Sequence, residues 1–261
     1  DTTGSTLFLG AGVDAEGDGQ PSVAADGDDA NADDEDGLDA LIRIAVVGSQ
    51  ARFLVRATNL LPGGATANLC GYVDWNGDGD FADAGETSVT PVANGASNTG
   101  VLAEFGIVPA GSEGQRYLRL RYSSASCALQ PGSRGGPASL VDGEVEDYRI
   151  TVRAGDYGDL PDPAFATGPG NYFTRVADSG AAHGIEPGLR IGACVDAEAD
   201  GQPGTGANGD DLAAGAASGS CATAGDDEDG VTVADLGFVS TQPAQVRVRV
   251  TNTTGRVGSL C

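Results

Sequence analysis

The segment VDAEGDGQP at 13–21 returns as VDAEADGQP at 195–203, and DDEDG at 33–37 returns unchanged at 226–230. VRATN at 55–59 returns as VRVTN at 248–252, DGDD at 26–29 as NGDD at 208–211, and the LC of 69–70 as the LC of 260–261. Five blocks in the same order make two copies of one unit, offset by 182 residues at the first two blocks, 193 at the next two and 191 at the last. The unit is about 190 residues long, and the copies differ by an insertion. The first copy lacks its beginning. The second stops where GYVDWNGDGD should follow. The chain therefore reads as part of a longer array.

Each unit has an acidic head and a body of short apolar runs. LIRIAVV (41–47), ARFLVRATN (51–59), CGYVDW (70–75), VLAEFGIV (101–108), RYLRLRYS (116–123) and EDYRITVR (146–153) are rich in β-branched residues and partly alternate. Gly, Pro, Asn and Ser separate them, and no apolar face of helical period runs long enough for a major helix. The expected fold class is all-β: tandem β-sandwich units, immunoglobulin-like or jelly-roll-like. The expected division is a first unit over 1–153, a linker over 154–163 within RAGDYGDLPDP (153–163), and a second unit over 156–261.

The acidity of the chain sets its partners. There are 38 Asp and Glu against 14 basic residues, all of them Arg, for a formal net charge of −24. Phosphate backbones and anionic membrane surfaces are excluded as partners by sign. No apolar stretch is long enough to insert in a membrane. A metal cation is the simplest partner of the right charge. In GYVDWNGDGDFADAGE (71–86), Asp74, Asn76, Asp78 and Asp80 alternate, and Glu86 closes the run. With Asp74 as position 1, oxygens fall at 3, 5 and 7 with Gly79 at 6, the first half of an EF-hand-type loop. Glu86 falls at 13 instead of 12, and the flanks are strand-like. The expectation is a calcium loop by chemistry on a β fold, every candidate ligand being an oxygen. A solvated Asx-rich turn is the alternative. The heads supply a second candidate set: Asp14, Glu16, Asp18, Asp28, Asp29, Asp33 and Asp36, with Asp196, Glu198, Asp200, Asp210, Asp211, Asp226 and Asp229 in the other copy. In DGEVEDYRITVR (142–153), Glu144 and Glu146 share a face with Tyr148, Ile150 and Val152. Two carboxylates on the core side need a cation or an Arg. Arg119 and Arg121 are the candidate side-chain partners, and calcium is the other solution.

Five cysteines resolve once the copies are overlaid. Cys70 aligns with Cys261, whereas Cys194 and Cys221 have no counterparts in the first copy, Cys221 lying in an insertion. Cysteines that are present together and absent together pair together. The expected disulfides are Cys194–Cys221 and Cys70–Cys127, with Cys261 left over. Disulfides place the chain outside a reducing cytosol.

Taken together, DYGDLPDP (156–163), GAAHGI (180–185), GLRIGACVDAEADGQP (188–203), DDEDGV (226–231), VDWNGDGDF (73–81) and GEVEDY (143–148) resemble the GEVED domain family, named for the pentapeptide at Gly143–Asp147. The resemblance covers nearly the whole chain. It implies a module repeated in large secreted or cell-surface bacterial proteins, adhesive or matrix-forming. It brings no enzymatic activity with it. The only histidine, His183, has no copy in the first unit, and catalysis is not expected. The expected function is a calcium-stabilised, disulfide-bonded repeat of an extracellular adhesin, fibre or biofilm matrix. Its expected partners are neighbouring repeats, fibre subunits of the same protein, or a surface glycan or protein. The alternative is a carbohydrate- or protein-binding accessory module of a large secreted enzyme. Trp75 is expected in the core, not on a sugar platform.

Overall fold

A computed structural model describes residues 6–13, 19–27, 36–38, 43–130, 132, 142–166, 168, 170–186, 188–209, 230–231, 236–237, 241, 243 and 245–260. Asp14, Glu16, Asp18, Asp28, Asp29, Asp33, Asp210, Asp211, Asp226, Asp229, Cys221 and Cys261 lie outside the described residues. The chain divides into two compact units. One comprises Asp1–Ala45 with Gln50–Val152, the other Val46–Ser49 with Arg153–Cys261. Both are built of strands, with only three-residue 3-10 turns besides among the described residues.

The first unit contains two sheets. One has the order β1 (Leu7–Leu9), β3 (Gln50–Asn59), β6 (Ala96–Ile107). The other has the order β2 (Ile44–Val46), β8 (Glu144–Arg153), β7 (Gly114–Ser123), β4 (Ala67–Val73), β5 (Thr87–Val92). Both are antiparallel except that β2 runs parallel to β8, with Thr151 N–H donating to Arg43 O and Val47 N–H to Arg153 O. The sequence period explains which faces meet. Along β3, Ala51, Phe53, Val55 and Ala57 are buried, while Arg52, Leu54 and Arg56 face solvent. Along β8, Glu146, Tyr148, Ile150 and Val152 are buried. Phe53 of β3 meets Phe105 of β6 edge to face at 5.9 Å, and Phe105 meets Trp75 edge to face at 6.0 Å. Trp75 is thus a core residue, 2% exposed. β5 carries Pro91 opposite Asn68 at the edge of its sheet, where a missing N–H costs no ladder bond.

In the second unit, β9 (Gly155–Tyr157) pairs with β10 (Ala182–Gly184), β11 (Leu189–Ile191) with β14 (Val250–Asn252), and β12 (Leu236–Gly237) with β13 (Gln245–Val246). The stretch expected as a linker is folded here: β9 lies inside it, and Tyr157, Asp159 and Asp162 are buried.

The repeat is visible in the backbone. β1 pairs with β3 as Leu7–Asn59, Phe8–Thr58 and Leu9–Ala57. β11 pairs with β14 as Leu189–Asn252, Arg190–Thr251 and Ile191–Val250, the same register at equivalent positions. The flanking bonds also correspond. Gly10 N–H donates to Arg56 O as Gly192 N–H does to Arg249 O, and Arg56 N–H donates to Gly37 O as Arg249 N–H does to Gly230 O.

Candidate functional site

Three acidic clusters are placed by the fold. The first is the loop between β4 and β5. Asp74, 7% exposed, follows β4 directly, and its own N–H is held by Tyr117 O of β7 at 3.2 Å. Its carboxylate faces into the turn. Oδ1 accepts from Gly77 N–H at 2.6 Å and Asp78 N–H at 3.2 Å, and Oδ2 accepts from Gly79 N–H at 3.0 Å. The chain can wrap this closely because Gly77 and Gly79 have φ of +76° and +92°, the region where a side chain is strained. Asp78 Oδ1 then accepts from Asp80 N–H, and Asp80 Oδ1 from Ala82 N–H. Glu86 is 1% exposed and closes the loop from β5, its Oε1 on Trp75 N–H at 3.0 Å and its Oε2 on Asp83 N–H at 3.1 Å.

So the loop gathers its carboxylates on a scaffold of backbone donors. Burial pushes the Glu86 carboxyl above its usual range. The N–H groups of Asp83 and Trp75 oppose that rise, and the charges of Asp74 and Asp83 add to it. Asp83 completes the group. The Asn76 amide N–H₂ donates to Asp83 Oδ2 at 2.6 Å and to Asp78 Oδ2 at 3.1 Å, putting the positive end of a dipole between two acids. A cavity of about 270 Å³ opens beside it, lined by Trp75, Asn76, Asp83 and Glu86 on one side and by the Pro109–Ser112 turn on the other. The donor set is all oxygen and fits calcium by chemistry. In this arrangement no three Asp, Glu, His or Cys side chains among the described residues converge closely enough to hold an ion.

The second cluster is the GEVED pentapeptide. Gly143 is required there: its φ is +87°, and a Cβ would stand 1.8 Å from the Tyr122 carbonyl oxygen. Glu144 and Glu146 are engaged by main chain. Leu9 N–H donates to Glu144 Oε1. Gly37 N–H donates to Glu146 Oε2 at 3.4 Å, and the Tyr148 hydroxyl donates to the same oxygen. Leu38 N–H in turn donates to the Tyr148 hydroxyl at 3.1 Å. The two acids thus fasten the head, residues 9 and 37, to the last strand of the unit. Burial, with the Glu146 charge beside it, drives the Tyr148 phenol far above its ordinary range, so it stays a donor. Arg43 lies 4.5 Å over the Tyr148 ring and pairs with Asp36. Arg119 forms a two-pronged pair with Asp147, 2.7 and 2.6 Å.

The third cluster lies in the second unit. Asp159, Asp162, Asp196 and Glu198 are all buried there. Glu198 Oε2 accepts from Tyr157 N–H at 3.1 Å, Asp159 Oδ2 from Gly209 N–H at 2.7 Å, and Asp162 caps a 3-10 turn through Ala164 N–H. Asp200 is a surface member, paired with Arg175 at 3.2 Å and accepting from Val176 N–H. His183, exposed, stands opposite Asp156 on the neighbouring strand.

Sequence reading missed Asp83, Asp147, Asp159 and Asp162. The last two stand in DYGDLPDP, where their proline neighbours were a signal of a built turn. The disulfide Cys70–Cys127 joins β4 to a 3-10 turn with a Cα–Cα distance of 5.7 Å, as expected. Cys194 is disulfide-bonded, its partner lying outside the described residues. With the pentapeptide's geometry in place, the comparison with known families is decisive for this segment: residues 68–151 match the GEVED domain. This stretch is a GEVED domain. No curated protein and no solved structure matches the chain. The GEVED segment holds β4 to β7, nearly all of β8, the acidic loop, and both half-cystines of the Cys70–Cys127 bond. No helix among the described residues is long and apolar enough to cross a membrane.

Proposed function

We propose that the chain is a structural repeat of an extracellular bacterial adhesin, fibre or matrix protein, stiffened by disulfides and calcium and acting by binding rather than turnover. The observation that carries this reading is a head strand pair repeated in register on one chain, once beside a segment that matches the GEVED domain, with a disulfide closing that segment. Thiols persist as disulfides outside the reducing cytosol, and tandem modules multiply weak contacts without needing a catalytic centre. The finer fold we assign to the body is a β-sandwich, supported by the aromatic core that β3 and β6 share with Trp75.

Calcium is the cation we assign to the 74–86 loop. Binding requires the Asn76 amide to turn its oxygen inward, so that Asp78 and Asp83 face the ion instead of the amide nitrogens. Asp74 and Glu86 stay on their backbone donors and supply charge, and Asp80 contributes its outer oxygen. Immunogold labelling of intact, unpermeabilised producing cells with an antibody to this chain tests the placement. Label on the surface or in the surrounding matrix is expected, and label confined to the cytoplasm overturns it. A second reading, an accessory binding module, draws on one observation: Tyr172 and Phe173 are adjacent and more than half exposed, with Phe173 at φ +51°. An aromatic residue held there is strained and presents a flat apolar surface suited to a sugar ring.

A further inference from the structure

Asn76 is the one side-chain amide in the turn from Asp74 to Glu86, and groups of matching sign surround its reactive atoms. Gly77 follows it, and without a Cβ the Gly77 nitrogen is open to the Asn76 side chain. The Gly77 N–H donates to Asp74 Oδ1 at 2.6 Å. Asn76 Oδ1 accepts from Asp78 N–H at 3.0 Å, which folds the amide carbon over the intervening Gly77 nitrogen. Asn76 Nδ2 donates to Asp83 Oδ2 at 2.6 Å and to Asp78 Oδ2 at 3.1 Å. An attack by the Gly77 nitrogen on that carbon needs three kinds of help. A carboxylate stands at the N–H that must lose its proton, a donor at the oxygen that gains charge, and acceptors at the nitrogen that must leave. Two other Asn–Gly pairs in the chain lack this set. Gly95 N–H donates to the Asn59 carbonyl oxygen at 2.8 Å, which takes no proton, and Asn94 Nδ2 donates to Leu61 O. Gly209 N–H does meet a carboxylate, Asp159 Oδ2 at 2.7 Å, but no hydrogen bond to the Asn208 side chain accompanies it among the described residues.

We propose that Asn76–Gly77 is a self-modifying pair, in which Asn76 loses its amide through a cyclic imide with Asp74 as the base. Asp74 Oδ1 takes the proton from the Gly77 nitrogen, which bonds to Asn76 Cγ. The Cγ–Nδ2 bond breaks, and Nδ2 departs with that proton as ammonia. Water then opens the imide at either carbonyl, leaving aspartate or isoaspartate, with no change of oxidation state. Asp78 N–H steadies the oxygen during the attack, and the Asp78 and Asp83 carboxylates favour the departing nitrogen as it gains a proton. Either product puts a carboxylate where an amide stood between two acids. For the calcium reading, on which this consequence alone rests, no nitrogen then has to turn away from the ion.

The test follows the whole chain at neutral pH with chelator present, so that calcium does not enter. Samples are stopped in acid, digested with pepsin, and mapped by fragment mass spectrometry for conversion of amide to acid. Asn76 is expected to convert first of the three, ahead of Asn94 by at least about tenfold, less than the roughly hundredfold of a well-matched base because a carboxylate is a weak one. In urea the three pairs lose their surroundings and should convert alike, Asn76 more slowly than in the folded chain. Asp74→Asn keeps an acceptor for the Gly77 N–H but no base. It should slow Asn76 toward its rate in urea, with the Trp75 emission of the folded unit retained. Three results each overturn the proposal: Asn76 level with or behind Asn94 or Asn208, a folded rate no greater than that in urea, or an undiminished rate in folded Asp74→Asn.

Discussion

Removing the Cys70–Cys127 bond should bring the first unit close to unfolding. The bond closes a loop of 57 residues. Loop-closure entropy of −2.1 − 1.5R ln n cal/mol/K gives about 14 cal/mol/K for that length, or about 4 kcal/mol at 25 °C. Cys70 is fully buried beneath the sheet, so Cys70→Ala with Cys127→Ala also loses the contacts of one sulfur, about 1 kcal/mol. Domains of this size are stable by only about 5–15 kcal/mol. At about 2–4 °C per kcal/mol, the melting temperature should fall by roughly 10–20 °C. The assay is urea titration followed by fluorescence. The chain has one tryptophan, Trp75, in the core of the first unit, so the signal reports that unit alone. Cys194→Ala, in the second unit, is the control and should leave the tryptophan transition where it was. A double variant within about 1 kcal/mol of the wild type would refute the reasoning. It would mean that the head clamp and the sheet already restrict the unfolded chain, or that the bond adds nothing they lack.

Calcium should raise the melting temperature of the first unit, by about 1.4 kcal/mol of stability when its concentration is ten times the dissociation constant. Asp78→Asn with Asp83→Asn should abolish the shift, and a melting temperature indifferent to calcium and to chelator would end the calcium reading. Glu146→Leu should cost about 2–4 kcal/mol, because it strands the Gly37 N–H and the Tyr148 hydroxyl in the core. Hydrogen exchange at Gly37 should accelerate more than at β4, and uniform acceleration would argue against a local clamp. Burial raises the Asp156 carboxyl above its ordinary value, with His183 pulling it partly back. The folded unit therefore binds that proton more tightly than the unfolded chain. Stability of the second unit should rise as pH falls through the raised folded value, and level off below the ordinary aspartate value. Asp156→Asn should flatten that portion of the profile, measured by calorimetry in steps of pH, and an unchanged profile would assign it to other groups.

What the sequence disclosed was set by local period and by repetition. The alternation in EDYRITVR placed Glu146 on the buried side with Tyr148, Ile150 and Val152, and the structure keeps them there. The overlay of the two copies paired Cys70 with Cys127. Neither kind of signal reports what arrives from far along the chain. The sequence offered Arg119, Arg121 or calcium as answers to the two glutamates, and the contacts found at Leu9 and Gly37 come from main-chain amides more than 100 residues away. A backbone N–H has no letter in a sequence. Arg119 went to Asp147 instead, its neighbour across the β7–β8 ladder. The segment Thr87–Val92 escaped notice as a strand because of Pro91, which only an edge position permits.

The link from Leu9 to Glu144 spans 135 residues, and this has a consequence in time. A unit whose first strand is held by its last cannot complete its fold until the whole length has left whatever machine is delivering it. Contacts this distant in sequence form late and slowly, because a long loop must close before they contribute anything. Until then the head remains an open, strongly acidic tether that repels itself and resists premature collapse. Such a unit stays extended until its GEVED strand is free, and locks only then.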